Sequence, residues 1–295
     1  MKKANQVYVI AGPTASGKTA LAIKWAQELG TEIINFDSRQ IYHELRIGVA
    51  RPLQEELSSV THHLMASHSI LNPLNAASFS TLAREIALDC IERNGSVVLV
   101  GGTGLYLNAF LEGLDEFPPL KPELRVEIQA IFDQEGIEGL TKSLLALDPA
   151  ALEWVQKDNP ARLMRALEIT KASGLPVSEW RKNKGEKFPF EAKIIAIERD
   201  RKQLYDRIDK RVDLMLNEGL EAEVRGLIDY QELPVMKTVG YQEFFDYFAG
   251  NNTYEQTISL IKQKTRNYAK RQTTWFKNKT NTEWISPEKL KKYSL

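Results

Sequence analysis

Residues 10–25, IAGPTASGKTALAIKW, restrict the fold more than any other stretch of the chain: an apolar strand tail enters a glycine-rich turn that opens into an amphipathic run. Gly12, Gly17, Lys18 and Thr19 satisfy the spacing G-x-x-x-x-G-K-[ST], and the motif carries meaning because a strand reads before it and a helix after it. At average glycine usage a chance match in a chain of this length is on the order of one in a hundred. The two glycines let the backbone fold its N–H groups around oxyanions, and the helix starting at Lys18 adds the positive end of its dipole. Lys18 supplies a point charge, and Thr19 can set its hydroxyl on a magnesium ion. Gly12, Pro13, Thr14, Ala15, Ser16, Gly17, Lys18 and Thr19 are therefore the candidate phosphate site, with Thr19 the candidate metal ligand.

The flanking pattern extends this unit into a layered α/β core. QVYVIAG reads as a buried strand, KTALAIKWAQELG as a helix ending at Gly30, and EIINFD as a second strand. FSTLAREIALDCIERNG is a helix closed by Gly95, and SVVLVGG a further buried strand feeding the helical TGLYLNAFLEGL. Such alternation predicts a parallel sheet flanked by helices. Around LDEFPPLKP, with Pro118, Pro119 and Pro122, the pattern changes, and the chain to about residue 190 reads as helical without strands. EAKIIAIERD restores a strand near 192–198, and the remainder reads as helical, including a long stretch from Tyr254 to Lys277. The expected organisation is an α/β core from 1 to 114, an all-helical insertion from 115 to 190, and core completion with a helical C-terminal region from 191 to 295.

Composition bounds the function classes. The 295 residues are 43% hydrophobic, ample for a packed core, and 39 basic residues balance 39 acidic ones. A polyanionic partner would be held by local patches, not by an overall field. The single cysteine, Cys90, excludes an internal disulfide framework and a zinc site built of cysteines, which suits a reducing, cytoplasmic location. Residues 1–11 lead straight into the glycine turn and carry no cleavable signal. No stretch reaches the roughly 20 apolar residues of a membrane helix, so no membrane role is expected, and nothing calls for an obligate protein partner.

Several polar groups fall where a parallel sheet would gather them. Asp37, in NFDSRQIY, ends the second strand, whose mouth opens on the same crevice as the phosphate loop. It reads equally well as a catalytic base or as a helix N-cap. Ser38, Arg39 and Gln40 are polar at the same mouth. GGTGLY (101–106) repeats the arrangement at another strand end, where Thr103 either binds an anion or caps the next helix. IKQKTRNYAKRQTTWFKNK (261–279) carries seven Lys or Arg residues, no acid, and Tyr268, Trp275 and Phe276. That mixture suits a phosphate backbone with unstacked bases, although a solvated helix face is the alternative. His62 and His63 would point apart on a strand and make a poor metal pair. The apolar positions of DKRVDLMLNEGLEAEV follow helical spacing, leaving Arg211 as the polar candidate there.

Taken together, GPTASGKT, DSRQIY, GGTGLY, NPARLMRALEI, KTVGYQE and AKRQTTWF closely resemble the bacterial tRNA dimethylallyltransferases, along nearly the whole chain. The resemblance implies a P-loop-type α/β fold and transfer of a dimethylallyl group from dimethylallyl diphosphate to N6 of the adenosine 3′-adjacent to the anticodon of tRNA, with release of diphosphate. It implies a catalytic set of Asp37 as general base, Arg211 as stabiliser of the departing diphosphate and Thr14 beside them, with Thr14 to Thr19 as the donor site. It also implies Mg2+ as cofactor and RNA contacts at Asp37, Ser38, Arg39, Gln40, Thr103 and Arg125. Further contacts fall at Ala161, Arg162, Leu163, Met164 and Arg165, and at Lys237, Thr238, Val239, Gly240, Tyr241 and Gln242. The last group is Lys270, Arg271, Gln272, Thr273, Thr274, Trp275, Phe276 and Lys277. The adenosine must be flipped out of its stack, and the helical insertion would close on the anticodon stem of the tRNA anticodon arm.

Two other readings use fewer of these features. A small-molecule kinase would hold ATP on the same loop and use Asp37 to accept a hydroxyl proton, which explains the first half of the chain alone. A nucleotide-gated RNA-binding protein uses the basic segment and leaves Asp37 and GGTGLY idle.

Overall fold

The computed structural model describes residues 5–114, 122–180, 185–290 and 293, and divides the chain into two compact units, Met1–Leu111 with Phe188–Leu295, and Glu112–Lys187. The first unit holds a six-stranded sheet in which every pairing is parallel, in the order β3 (His62–His63), β2 (Ile33–Asn35), β4 (Ser96–Val100), β1 (Gln6–Ala11), β5 (Ala192–Ile197), β6 (Glu283–Ile285). The register sets Ile10 beside Val100, and Ala11 beside Ala196. The central strands are apolar past their first residues, Gln6 in β1, Ser96 in β4 and Ala192–Lys193 in β5, because helices cover both faces of a parallel sheet.

Helices α1 (Lys18–Leu29), α2 (Gln54–Ser59), α3 (Ala76–Asn94) and α4 (Gly104–Glu112) follow the first strands, and α8 (Arg201–Asn217), α9 (Leu220–Arg225), α10 (Tyr241–Phe248), α11 (Tyr254–Lys279) and α12 (Pro287–Leu290) follow β5. Their ends obey local chemistry. The Asn75 side chain accepts from the Ala77 and Ser78 N–H groups at the start of α3, and glycines at 30 and 95 close α1 and α3 in the left-handed region. One face of the sheet packs Phe36, Phe79, Phe110, Phe244 and Phe276 into a large core; Trp25, Ile10, Ile33 and Ile195 fill the other.

The second unit contains α5 (Pro122–Leu147), interrupted at Gly136 by a left-handed residue, then α6 (Pro160–Ser173) and α7 (Val177–Trp180). Its core is Ile128, Leu140, Leu144, Leu163 and Leu167. Asn159 caps α6 through the Arg162 N–H, and Pro160 occupies the first turn, where a missing donor costs nothing. No strand occurs among its described residues. Pro118 and Pro119 lie outside the described residues.

The structure corrects two readings and adds an edge strand. The chain beyond β5 is not all helical, since β6 adds a three-residue parallel strand that pairs Ile195 with Glu283. The second strand stops at Asn35, leaving Phe36 and Asp37 beyond it, and His62–His63 forms an edge strand of its own. The two histidines do diverge: His62 Nδ1 meets the Val60 carbonyl, and His63 Nε2 meets Glu32 Oε2 at 2.5 Å. Glu32, His63 and Cys90 bring three possible ligand atoms within 4.8 Å. The Arg93 guanidinium already sits on Glu32 at 2.6 Å, and a cation there would meet that charge. Arg93 holds the Glu32 carboxyl down at about 2, and burial pushes the Cys90 thiol up to about 12. No described helix is long and apolar enough to cross a membrane.

Candidate active site

Four loops meet at the carboxyl edge of the sheet: Gly12–Gly17 after β1, the 37–40 turn after β2, Gly101–Thr103 after β4, and Arg199 after β5. This is the crevice that open parallel sheets use for ligands. In the first loop Gly12 (φ 128°) and Gly17 (φ 102°) occupy backbone space that L side chains avoid, and Ala15 shares it at φ 62°. Strain of that kind persists only where the surroundings fix it. Here three arginines do so. Arg199 Nε donates to the Ser16 carbonyl at 2.7 Å, Arg207 Nε to the Ala15 carbonyl at 2.8 Å, and Arg211 Nη1 to the Thr14 hydroxyl at 3.2 Å. Ser16 Oγ is fully buried without a hydrogen-bond partner inside the loop, a spare donor of the kind an anion would satisfy.

Lys18 Nζ donates to the Pro13 carbonyl at 2.9 Å. Burial lowers its pKa to about 8, and the Arg211 charge adds to the fall while Asp37 opposes it. Arg211 is shifted down as well, by burial first and by Arg207 second, with Glu56 and Asp37 opposing. Lys18, Arg211 and Asp37 thus form one electrostatic neighbourhood, with an excess of positive charge that a phosphate would relieve.

Asp37 starts no helix. Its Oδ1 accepts the Arg39 N–H at 3.0 Å in a local side-chain turn, and its own N–H donates to Asn35 Oδ1 at 3.1 Å. The N-cap alternative is therefore corrected to a turn. Thr103 is likewise not spent on capping α4, because its hydroxyl accepts the Ser38 N–H at 2.9 Å and donates to Ser38 Oγ at 3.1 Å. Burial, with the nearby Asp37 carboxylate, pushes the Tyr268 phenol up, while Arg39 and Thr103 oppose the shift. Gln40 Nε2 donates to the Val49 and Ala50 carbonyls at 3.0 and 2.9 Å, holding the wall loop in place.

Two cavities with shared lining residues adjoin this cluster. The smaller, about 190 Å³, is lined by Thr14, Ala15, Gly17, Lys18, Thr19, Gln40, Glu56 and Arg211. The larger, about 370 Å³, is lined by basic Arg39, Lys237 and Arg271, polar Ser38, Thr103 and Tyr268, and apolar Val212, Met215, Leu220, Val239 and Ile261. Thr14, Asp37, Val49, Ala50 and Arg211 line both. A carboxylate and a guanidinium thus stand at the junction of a phosphate-sized lobe and a wider, half-apolar one, an arrangement suited to group transfer from a phosphate ester to a nucleophile arriving from the other side.

The other sequence candidates fall in different settings. Thr238 and Gly240 line the larger cavity, while Gln242, on α10, and Lys270, Thr274 and Lys277, on α11, are exposed and do not line it. Thr273 is half-buried, and Trp275 packs on the core beside Phe276. In the second unit Ala161, Arg162 and Arg165 are exposed and Met164 half-buried, and Arg125 and Arg165 pair with the buried Glu168 at 3.5 and 3.4 Å. Leu163, Tyr241 and Phe276 are corrected as RNA contacts: all three are fully buried in hydrophobic cores. Gln272 is also turned inward, its amide engaged with Thr14 and Gly102.

Sequence reasoning passed over Arg199, Arg207 and Glu223. Arg207 had a signal, since it precedes Arg211 by one helical turn on the same face of α8. Glu223 had none. Its carboxylate accepts the N–H groups of Arg46, Ile47 and Gly48 and the Tyr241 hydroxyl, across 18 to 177 positions of sequence, and so anchors the loop that walls both cavities.

Comparison with known proteins agrees with this geometry. The chain is 42% identical to a tRNA dimethylallyltransferase of Christiangramia forsetii over 281 residues, 95% of this chain and 93% of that protein. It is 38% identical to one of Cytophaga hutchinsonii over 96% of this chain and 93% of that protein. Among solved structures, the full-length tRNA isopentenylpyrophosphate transferase of Bacillus halodurans superposes with TM-score 0.72 at 34% identity, covering 98% of this chain and 94% of that one. A eukaryotic dimethylallyltransferase captured acting on tRNA gives TM-score 0.81 at 25% identity, covering 96% and 74%. The IPP transferase family model matches residues 40–279, and the chain belongs to that family.

Proposed function

We propose that this protein transfers a dimethylallyl group from dimethylallyl diphosphate to N6 of the adenosine 3′-adjacent to the anticodon in tRNA. The reading rests above all on the sharing of Thr14, Asp37 and Arg211 by the two cavities. The diphosphate binds the Gly12–Thr19 loop in the smaller lobe, with Lys18 and Arg211 on its oxygens, and the adenosine enters the larger lobe. N6 attacks C1 of the donor, the C1–O bond breaks, and the electron pair leaves on diphosphate, where Arg211 and the loop N–H groups stabilise it. Asp37 takes the proton that N6 loses.

The residues present suit a divalent cation. Thr19 lines the lobe where the phosphates belong, and the oxygen chemistry of that lobe is the kind Mg2+ prefers. Bound there, Mg2+ would neutralise charge on the departing diphosphate. Arg39, Lys237, Arg271 and the exposed basic residues of α11 offer local electrostatic footing for an RNA strand in a chain of no net charge. A cytoplasmic location fits a chain with a single, buried cysteine.

The kinase reading accounts for the small lobe and leaves the larger one, with its basic lining residues, without a use. Incubating the protein with unmodified tRNA and either dimethylallyl diphosphate or ATP, then digesting to nucleosides for mass spectrometry, tests the proposal. Prenylated adenosine should form with the prenyl donor alone. Its absence, with ADP released from ATP, would favour the kinase.

A further inference from the structure

The basic helix α11 does more than face outward. Its Gln272 is 5% exposed, with Oε1 accepting the Thr14 N–H at 2.9 Å and Nε2 donating to the Gly102 carbonyl at 2.9 Å. One carboxamide therefore ties the phosphate loop after β1 to the loop after β4, from a helix whose neighbouring residues Arg271 and Tyr268 line the acceptor cavity. The approach is close: a Cβ on Gly102 would stand 2.1 Å from Gln272 Nε2. With its N–H held from behind by Gln272, Thr14 presents its hydroxyl to Arg211 Nη1 at 3.2 Å.

We propose that Gln272 is a positioning residue for the donor site, not an RNA contact: it fixes Thr14, and through Thr14 the guanidinium of Arg211, from within the helix that forms the acceptor side. Both hydrogen bonds are needed, since Oε1 sets the Thr14 peptide and Nε2 sets the height of the carboxamide over Gly102. A buried polar group that loses either partner leaves an unsatisfied one behind. This inference rests on the transfer reading for its kinetic arm alone.

The test compares Gln272→Met, which keeps shape without the amide, with Gln272→Glu, which keeps one acceptor and loses the donor to Gly102. Melting temperature is followed as a check on folding. Inorganic diphosphate is titrated calorimetrically without tRNA, tRNA affinity is measured without donor, and KM and kcat are then determined. Both variants should weaken diphosphate binding about tenfold or more and raise the donor KM, with tRNA affinity within about twofold of the parent. In a double-mutant cycle with Thr14→Ala, the combined loss should fall well short of the product of the separate losses, because both changes break one chain of contacts. Weakened tRNA binding with unchanged diphosphate affinity would return Gln272 to the RNA surface and overturn the proposal, as would independent effects in the cycle. Should the parent fail to prenylate tRNA, the diphosphate titration still decides the matter, so the two readings fail separately.

Discussion

Arg211 reaches the Thr14 hydroxyl across 197 positions of sequence, and the two side chains close the seam between the phosphate lobe and the acceptor lobe. On the transfer proposed above, a guanidinium in that position would be in place before charge develops on the departing diphosphate. Removing one such preorganised donor typically costs 10²- to 10³-fold in rate. Arg211→Ala should therefore lower single-turnover transfer by about 10²-fold or more, and Arg211→Lys should recover only part of it, because an ammonium lacks the planar fork. A lysine variant equal to the parent would mean that charge alone matters there.

Lys18 supplies a pH signature. Burial holds its ammonium at about 8 in the free protein, and a bound diphosphate would restore the charged form. Donor binding between roughly pH 8 and 10 should then take up a proton, visible as a dependence of calorimetric enthalpy on buffer ionisation, and affinity should decline as pH rises through that window. Lys18→Met should abolish the uptake. The sign for stability is opposite to that of an ion pair: the unfolded lysine binds its proton more tightly than the folded one, so the burial cost is fully present below about pH 8 and is relieved towards 10.5. The parent should gain thermal stability relative to Lys18→Met over that rise.

What the sequence made legible was what lies close together in it. The phosphate loop, Asp37 with Ser38 to Gln40, and Thr103 each sit within a few residues of a strand end, and strand ends of a parallel sheet converge. A basic run read whole hides the inward-facing Gln272. Tyr268, Gln272 and Phe276 recur every four residues on one face of α11 and point inward, whereas Lys270, Thr274 and Lys277 do not. The same period hides Leu163 in the core of the second unit while Arg162 and Arg165 stay exposed. Glu223 has no local signature, since its partners are distant backbone N–H groups. The three residues of β6 are too few for any periodicity to show.

Helix α11 also dictates a glycine. A Cβ at Gly104 would lie 2.2 Å from the Trp275 ring, which packs edge-on beside the buried Phe276. Overpacking of this kind typically costs 1–3 kcal/mol, so Gly104→Ala should lower the melting temperature by several degrees. Gly226→Ala is the control, because a Cβ there meets only ordinary contacts at 3.5 Å in helical backbone. Equal melting temperatures for the two variants would show that the Trp275 ring yields.

Asp37 is the residue for which chemistry and structure give separable outcomes. Its Oδ1 already serves the Arg39 N–H in a local turn, a task that asparagine performs equally well. If that were its whole role, Asp37→Asn would be close to silent. A general base, by contrast, contributes about 10²- to 10⁴-fold, and an amide cannot accept the proton. Asp37→Asn should therefore keep its melting temperature and its affinity for tRNA and donor while single-turnover transfer falls by roughly 10²-fold or more. Single turnover is the measurement to make, because slow release of tRNA would mask a slower chemical step in the steady state. A rate within a few-fold of the parent at saturating tRNA and donor would confine Asp37 to holding the turn, and the proton would then have to leave N6 for another acceptor in the same cavity.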